Sequence, residues 1–242
     1  MKIRYWWILL TYVILQFSSM LGVPLLIKLG VYDSISNSKL MVSTALTHWT
    51  IGAFIVATII IVTLLMRDLK ETPPHRNRAS TSEALGWILG GLFLAFFTQM
   101  IAAMIEVTVF GIQPGSENTQ MIVNLTKVTP LFIVVVAILG PILEEIVFRY
   151  VLFGALRKKL NFLFSALISS FIFAIVHQDF AHLLVYTSMG FVFAFLYVKT
   201  KRIIVPIFAH MLMNALVMLM QLSVTKLQEK FEQIQGFIGG FL

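Results

Sequence analysis

Along the chain, apolar residues fall into seven long blocks separated by short polar stretches, at about 5–28, 47–66, 84–110, 129–156, 161–177, 181–198 and 203–223. A helix needs roughly 20 mainly apolar residues to cross a bilayer core. Each block therefore predicts a membrane-spanning helix, the fifth and sixth short and joined by a tight turn at Gln178-Asp179-Phe180. The first block opens with Met1-Lys-Ile-Arg-Tyr-Trp-Trp and stays apolar to about Leu29, too long for a signal-peptide core and without a small-residue cleavage site. It predicts a retained helix. The polar run from Arg67 to Ser82 carries Pro73-Pro74 and predicts an irregular loop. After Thr225, Leu227, Phe231, Ile234, Ile238 and Phe241 recur at helical spacing, while Lys226, Glu229, Lys230 and Glu232 face elsewhere. That pattern predicts an amphipathic surface helix. A packed terminal helix is the alternative, and Gly236, Gly239 and Gly240 weaken both.

Composition agrees with the pattern. Of 242 residues, 59% are hydrophobic and 12% charged, and the mean hydropathy is +0.92. A soluble domain is about half apolar and about a quarter charged. Such an excess exceeds what one globular core can bury, which excludes a soluble, disordered or coiled-coil chain. The expected fold is all-α: a polytopic transmembrane helix bundle of about seven spans plus an amphipathic C-terminal helix. It forms a single integral membrane domain over 1–242, with scaffold helices in 1–110, the chemistry in 129–223 and the tail in 225–242.

The formal net charge of +7 would suggest nucleic acid in a soluble protein. Here the basic residues follow the spans, and no nucleic-acid partner is implied. Lys2, Arg4, Arg67, Lys70, Arg76, Arg78, Arg157, Lys158, Lys159, Lys199, Lys201 and Arg202 fall on one side; Lys28, Lys39, Lys127, Lys226 and Lys230 fall on the other. The positive-inside rule then places the N-terminus in the cytoplasm and, with seven spans, the C-terminus outside. The chain has no cysteine, which removes disulfides, thiolate metal sites and cysteine nucleophiles.

Charge at bilayer depth costs about 2.5–3.5 kcal/mol per residue on the lenient insertion scale, so each instance asks for a reason. The first two spans carry none. Glu106 lies near the outer end of the third and is expected to reach the headgroups. The fourth holds Glu144, Glu145 and Arg149, the fifth ends at His177, and the seventh holds His210 and Asn214. Glu145 and Arg149, four apart, share a helix face and can pair; a purely structural ion pair accounts for both. It does not account for Glu144, about 100° away around the helix and without a partner on it. A carboxylate in that position suits a general base or proton shuttle. His210 and Asn214 repeat the spacing of four, as do Phe173 and His177. His182 follows a turn and is left outside the set.

Gly140-Pro-Ile-Leu-Glu-Glu-Ile-Val-Phe-Arg149 reads as EExxxR, Phe173-Ala-Ile-Val-His177 as FxxxH and His210-Met-Leu-Met-Asn214 as HxxxN. In that order, over about Leu131 to Leu219, the chain resembles the CAAX protease and bacteriocin-processing family of intramembrane endopeptidases, also called Abi proteins. The resemblance implies hydrolysis of a peptide bond in a membrane-associated, lipid-anchored or peptide substrate by an activated water. It implies Glu144 as general base assisted by His177, His210 and Asn214 as carbonyl and oxyanion donors, and Glu145, Arg149 and Phe173 as support. It leans to a metal-free glutamate mechanism, and the HExxH helix of zinc peptidases is absent. Two histidines and a glutamate leave zinc as the alternative.

Depth tests this set. At 1.5 Å per residue, Glu144 lies roughly 20 Å from Arg157, His210 roughly 12 Å from Arg202 and His177 roughly 27 Å from Lys159. Straight, upright helices do not bring these together; tilt, a bend at Gly140-Pro141 or an extended start near Asn161 is required. Two rival readings remain: a catalytically silent scaffold or regulator on the same fold, and a proton-coupled transporter, for which two related halves are expected and not found. A bacterial plasma membrane is the expected location.

Overall fold

The computed structural model describes residues 1–71 and 77–239, with backbone only at 229 and 232–239. Pro73-Pro74, Arg76, Gly240 and Phe241 lie outside the described residues, as do the side chains of Glu229, Glu232, Ile234 and Ile238. Among the described residues the structure is helical, without a strand. The helices are α1 (Ile3–Lys28), α2 (Ser38–Glu71), α3 (Thr81–Phe110), α4 (Glu117–Val128), α5 (132–156), α6 (Phe162–Val176), α7 (Leu183–Thr200) and α8 (Ile204–Gly239).

Helix ends follow local chemistry. The Ser80 hydroxyl accepts from Glu83 N at 3.3 Å while Ser80 N donates to the Glu83 carboxylate at 2.6 Å, a reciprocal cap that starts α3. Gly111, at φ +68°, ends it in the left-handed conformation that glycine adopts without strain. Ser116 caps α4 by accepting from Thr119 N at 3.0 Å. Asn161, extended at φ −69° and ψ 176°, caps α6 through Phe164 N.

The seven apolar blocks all fall on helices. Five helices are long and apolar enough to cross a membrane: α1, α2, α3, α7 with its preceding turn, and α8 through Gln228. The 15-residue α6 is shorter. α5 alternates, with π-helical stretches at Val135–Leu139 and Glu145–Phe153 around the α-helical Gly140–Glu144. π-Helical segments are rare and cluster at functional sites. Both stretches offer a backbone carbonyl to a neighbouring helix: Asn214 donates to Val136 O at 3.0 Å, and Ser169 donates to Phe148 O at 2.7 Å. Irregular backbone at membrane depth is tolerated where protein satisfies it.

Several expectations need correction. α4 was not foreseen: only 12 residues long, it offers no apolar block of spanning length. α2 runs to Glu71 rather than about 66, past its apolar block, and buries Asp68 completely at that end. Asp68 accepts from Lys2 at 2.6 Å, Tyr5 at 2.8 Å and Tyr150 at 2.6 Å, tying the starts of α1 and the ends of α2 and α5 together. Glu106 does not reach headgroups; it is 1% exposed and accepts from Val185 N at 3.1 Å. The tail is not a separate element, because α8 continues unbroken to Gly239.

Two large apolar clusters make most of the core. One joins Ile8 and Tyr12 of α1, Ile61 and Leu65 of α2, and Leu143, Val147 and Val151 of α5. The other joins Leu92 and Ala95 of α3, Met189, Phe193 and Leu196 of α7, and Ala209 and Met213 of α8. The polar residues of α5, α6 and α8 meet between them. Outward, Leu21, Phe93 and Met20 are exposed, as a lipid-facing shell requires.

Candidate active site

Glu144 closes the α-helical segment of α5 and Glu145 opens the π-helical one, so the two carboxylates leave the helix in different directions. The Glu145 side chain is 0% exposed and that of Glu144 is 17% exposed. This separates a structural carboxylate from an accessible one.

Glu145 has two cationic or donating neighbours. Its Oε1 lies 3.3 Å from Arg149 Nη1 and accepts a hydrogen bond from His210 Nδ1 at 3.0 Å. The expected ion pair is therefore present, and it extends to the α8 histidine. The Arg149 guanidinium, fully buried, makes no hydrogen bond to protein. It sits in an aromatic box instead, 4.4 Å from the Phe173 ring centre, 5.5 Å from Phe193 and 5.9 Å from Phe148. Aromatic faces are negative at their centres and stabilise a desolvated cation. Gly190 completes the box: a Cβ there would come within 2.8 Å of Ser170 Cβ and 3.0 Å of Arg149 Nη2.

His210 is 2% exposed and stacks on Phe193 with ring centres 4.6 Å apart. With Nδ1 donating to Glu145, its Nε2 faces the other carboxylate, 3.7 Å from Glu144 Oε2. One imidazole is thus held between two glutamates. Asn214, one turn along α8, spends one amide proton on Val136 O and retains a second.

His177 caps the C-terminus of α6. Its Nδ1 donates to the Phe173 carbonyl at 2.8 Å, which fixes the ring orientation and leaves Nε2 as the nitrogen for other work. It lies within electrostatic reach of Glu144 and His210. Phe173, fully buried, packs 4.5 Å from His177 and 6.0 Å from His210 by ring centres. All seven residues singled out in the three motifs are thereby drawn to the seam between the two core clusters.

His182 stands apart, as expected. Its ring bonds Glu106 at 2.8 Å and Gly115 O at 2.9 Å, fastening the turn before α7 to the end of α3. Phe193, Ser170 and Tyr186 are site neighbours that helical spacing does not single out. Phe193 and Tyr186 meet the site histidines across helices, and spacing reports only a residue's own helix. Among the described residues, no three His, Asp or Glu side chains converge to hold a metal ion. Each histidine is bonded through Nδ1, His210 to Glu145 and His177 to a carbonyl, which leaves Nε2 of each ring turned to other work.

Comparison with known proteins is consistent with this arrangement. The profile of the type II CAAX prenyl endopeptidase Rce1-like family matches residues 126–216, the part that contains all three motifs. Over 242 residues the chain is 47% identical to the candidate membrane peptidase YdiL of Bacillus subtilis, covering 99% of each protein. It is 33% identical to the membrane-embedded CAAX protease MroQ of Staphylococcus aureus, covering 97% of each. No solved structure matches.

Proposed function

From the premise that the chain belongs to the CAAX protease family of membrane peptidases, we propose that it is an intramembrane endopeptidase in which Glu144 activates water. The observation that carries the reading is the pair of unequal carboxylates around one imidazole: Glu145 buried and bonded to His210 Nδ1, Glu144 partly accessible and 3.7 Å from Nε2. A separation above 3.5 Å suits a bridging water better than a direct bond.

In the proposed sequence, water oxygen attacks the scissile carbonyl carbon while Glu144 takes its proton, with His177 Nε2 orienting the water. His210 Nε2–H and the second Asn214 amide proton bind the oxyanion; in this role the His210 ring carries both protons. Collapse breaks the C–N bond, and the Glu144 carboxyl returns its proton to the departing amine. One oxyanion donor is worth about 2.7–4 kcal/mol of barrier in a site that excludes water. The Arg149–Glu145 pair acts indirectly by holding Glu145 toward His210. The substrate is a peptide or lipid-anchored protein presented from the membrane, and the bacterial plasma membrane is the proposed location.

The test is peptide release from membranes and from purified protein carrying Glu144→Gln. The side chain keeps its size and loses its basicity, so cleavage should fall by at least about a hundred-fold, the lower range for a general base, while the protein accumulates normally. Retained cleavage would remove Glu144 from the chemistry. Equal release by wild type and variant, with transport or partner recruitment intact, would favour a carrier or a silent scaffold.

A further inference from the structure

Outside the three motifs, two aromatic side chains stack on histidines of the proposed machinery, Phe193 on His210 and Tyr186 on His177. Tyr186, in the first turn of α7, lies against His177 with ring centres 4.3 Å apart and planes inclined by 28°. This is a face-to-face stack.

The phenol is anchored at its far end. Asn118 of α4 donates to its oxygen at 3.3 Å, and the Ser116 hydroxyl lies 3.5 Å away. Ser116 in turn donates to Asp179 at 2.6 Å, and Asp179 is 8% exposed. The segment between His177 and Tyr186 turns sharply at Gln178, whose φ of +56° is unusual for a residue with a Cβ. A second fastening, His182 to Glu106 and to Gly115 O, pins that segment to α3 and the α3–α4 connection. Tyr186 is therefore a plate held by α4 on one edge and pressed on an imidazole on its face.

His177 needs such a plate. It terminates α6 and is followed at once by the turn, so no further helical residue flanks it. Its Nδ1 bond to Phe173 O is one contact, about which the ring still has freedom to rock; Phe173 meets it edge-on, with planes at 61°. The stack on Tyr186 removes that freedom.

We propose that Tyr186 is a positioning residue for His177: its ring, clamped by Asn118 and Ser116, sets the imidazole plane so that Nε2 meets the water Glu144 activates. The assignment rests on the hydrolase reading above. It gives α4 a role as well, because this short helix and its capping residue supply both contacts to the phenol oxygen.

The experiment compares Tyr186→Phe, Tyr186→Leu and Tyr186→Met in purified full-length protein, with Glu144→Gln alongside. Each is assayed for kcat and KM and for imidazole NMR signals, His177 being assigned by its loss in His177→Asn. Misplacement of a reacting group by about 1 Å costs up to about a hundred-fold. Leu and Met should therefore lower kcat by roughly ten- to a hundred-fold, leave KM nearly unchanged, and move and broaden the His177 signals. Phe keeps the stack but loses the clamp on its far edge, and should fall between wild type and Leu in kcat and in the His177 signals. If Leu does not accumulate, Met, which is flexible enough to fill the gap, gives the reading. Wild-type kcat in Leu or Met would overturn the proposal. So would a raised KM at unchanged kcat, or a Phe variant as impaired as Leu. Full activity in Glu144→Gln would instead defeat the hydrolase reading itself, whatever Tyr186 does.

Discussion

Replacing Arg149 with Met isolates the charge at the centre of the bundle. Met nearly matches the volume of the arginine stem and keeps contact with Phe148, Phe173 and Phe193, so little cavity forms. The cation disappears from a fully buried pair whose atoms stand 3.3 Å apart. Removing one partner of a buried pair costs about 3–5 kcal/mol, chiefly through the charge left behind. Here Glu145 retains the His210 Nδ1 bond at 3.0 Å, which argues for the lower end, about 3 kcal/mol. At about 1.4 kcal/mol per decade, that lowers the folded-to-unfolded ratio by roughly a hundred-fold. The double variant Glu145→Met with Arg149→Met removes both charges and should recover part of the loss. It should not recover all of it, because His210 Nδ1 loses its acceptor, at about 1–3 kcal/mol. Unfolding of purified protein by graded denaturing detergent, together with membrane abundance, measures the series. A single variant within about 0.5 kcal/mol of wild type, the usual range for an inconsequential substitution, would refute the buried pair. So would a double variant whose loss is the plain sum of the two single losses.

Two further outcomes follow from the same neighbourhood. Gly190→Ala places a methyl 2.8 Å from Ser170 Cβ and 3.0 Å from Arg149 Nη2; overpacking of this kind costs about 1–3 kcal/mol, visible as a lower melting temperature. Adding Ser170→Gly removes the closest atom and should restore part of that loss; no restoration would locate the clash elsewhere. On the glutamate reading, cleavage by purified protein should survive exhaustive chelation; inhibition reversed by zinc alone would establish a metal mechanism.

What the sequence discloses about this site divides along a physical line. Spacing of four put Glu145 beside Arg149 and His210 beside Asn214 because both relations lie within one helix. The search for a Glu144 partner on its own helix found none, and correctly: its neighbour is His210 of α8. Contacts between helices depend on packing angles and depth, which periodicity does not encode. The same limit hid Tyr186 from view, since its stack on His177 joins the end of α6 to the start of α7. The π-helical stretches were equally illegible, because their carbonyls find partners on α6 and α8 rather than nearby in sequence. Asp68 was missed for a simpler reason. Apolar blocks mark where a helix lies in hydrocarbon, not where it stops, and α2 continues past its block.

In water, burial of apolar surface tells a helix which face to turn inward. In lipid that contrast disappears, and small residues, hydrogen bonds and polar contacts take over the choice. This chain follows that logic: Leu21 and Phe93 lie exposed while Glu145, Arg149, Ser165, Ser169, Ser170 and His210 are buried. The groups that carry the proposed chemistry are therefore largely the groups that specify how α5, α6, α7 and α8 meet. Loss of activity in a variant at Glu145, Arg149 or His210 confounds folding with catalysis. Only positions whose side chain can change charge or contact without leaving the seam unfilled separate the two. The partly accessible Glu144, exchanged for Gln, and the stacked Tyr186, exchanged for Phe, satisfy that condition, which is why they serve as the discriminating substitutions.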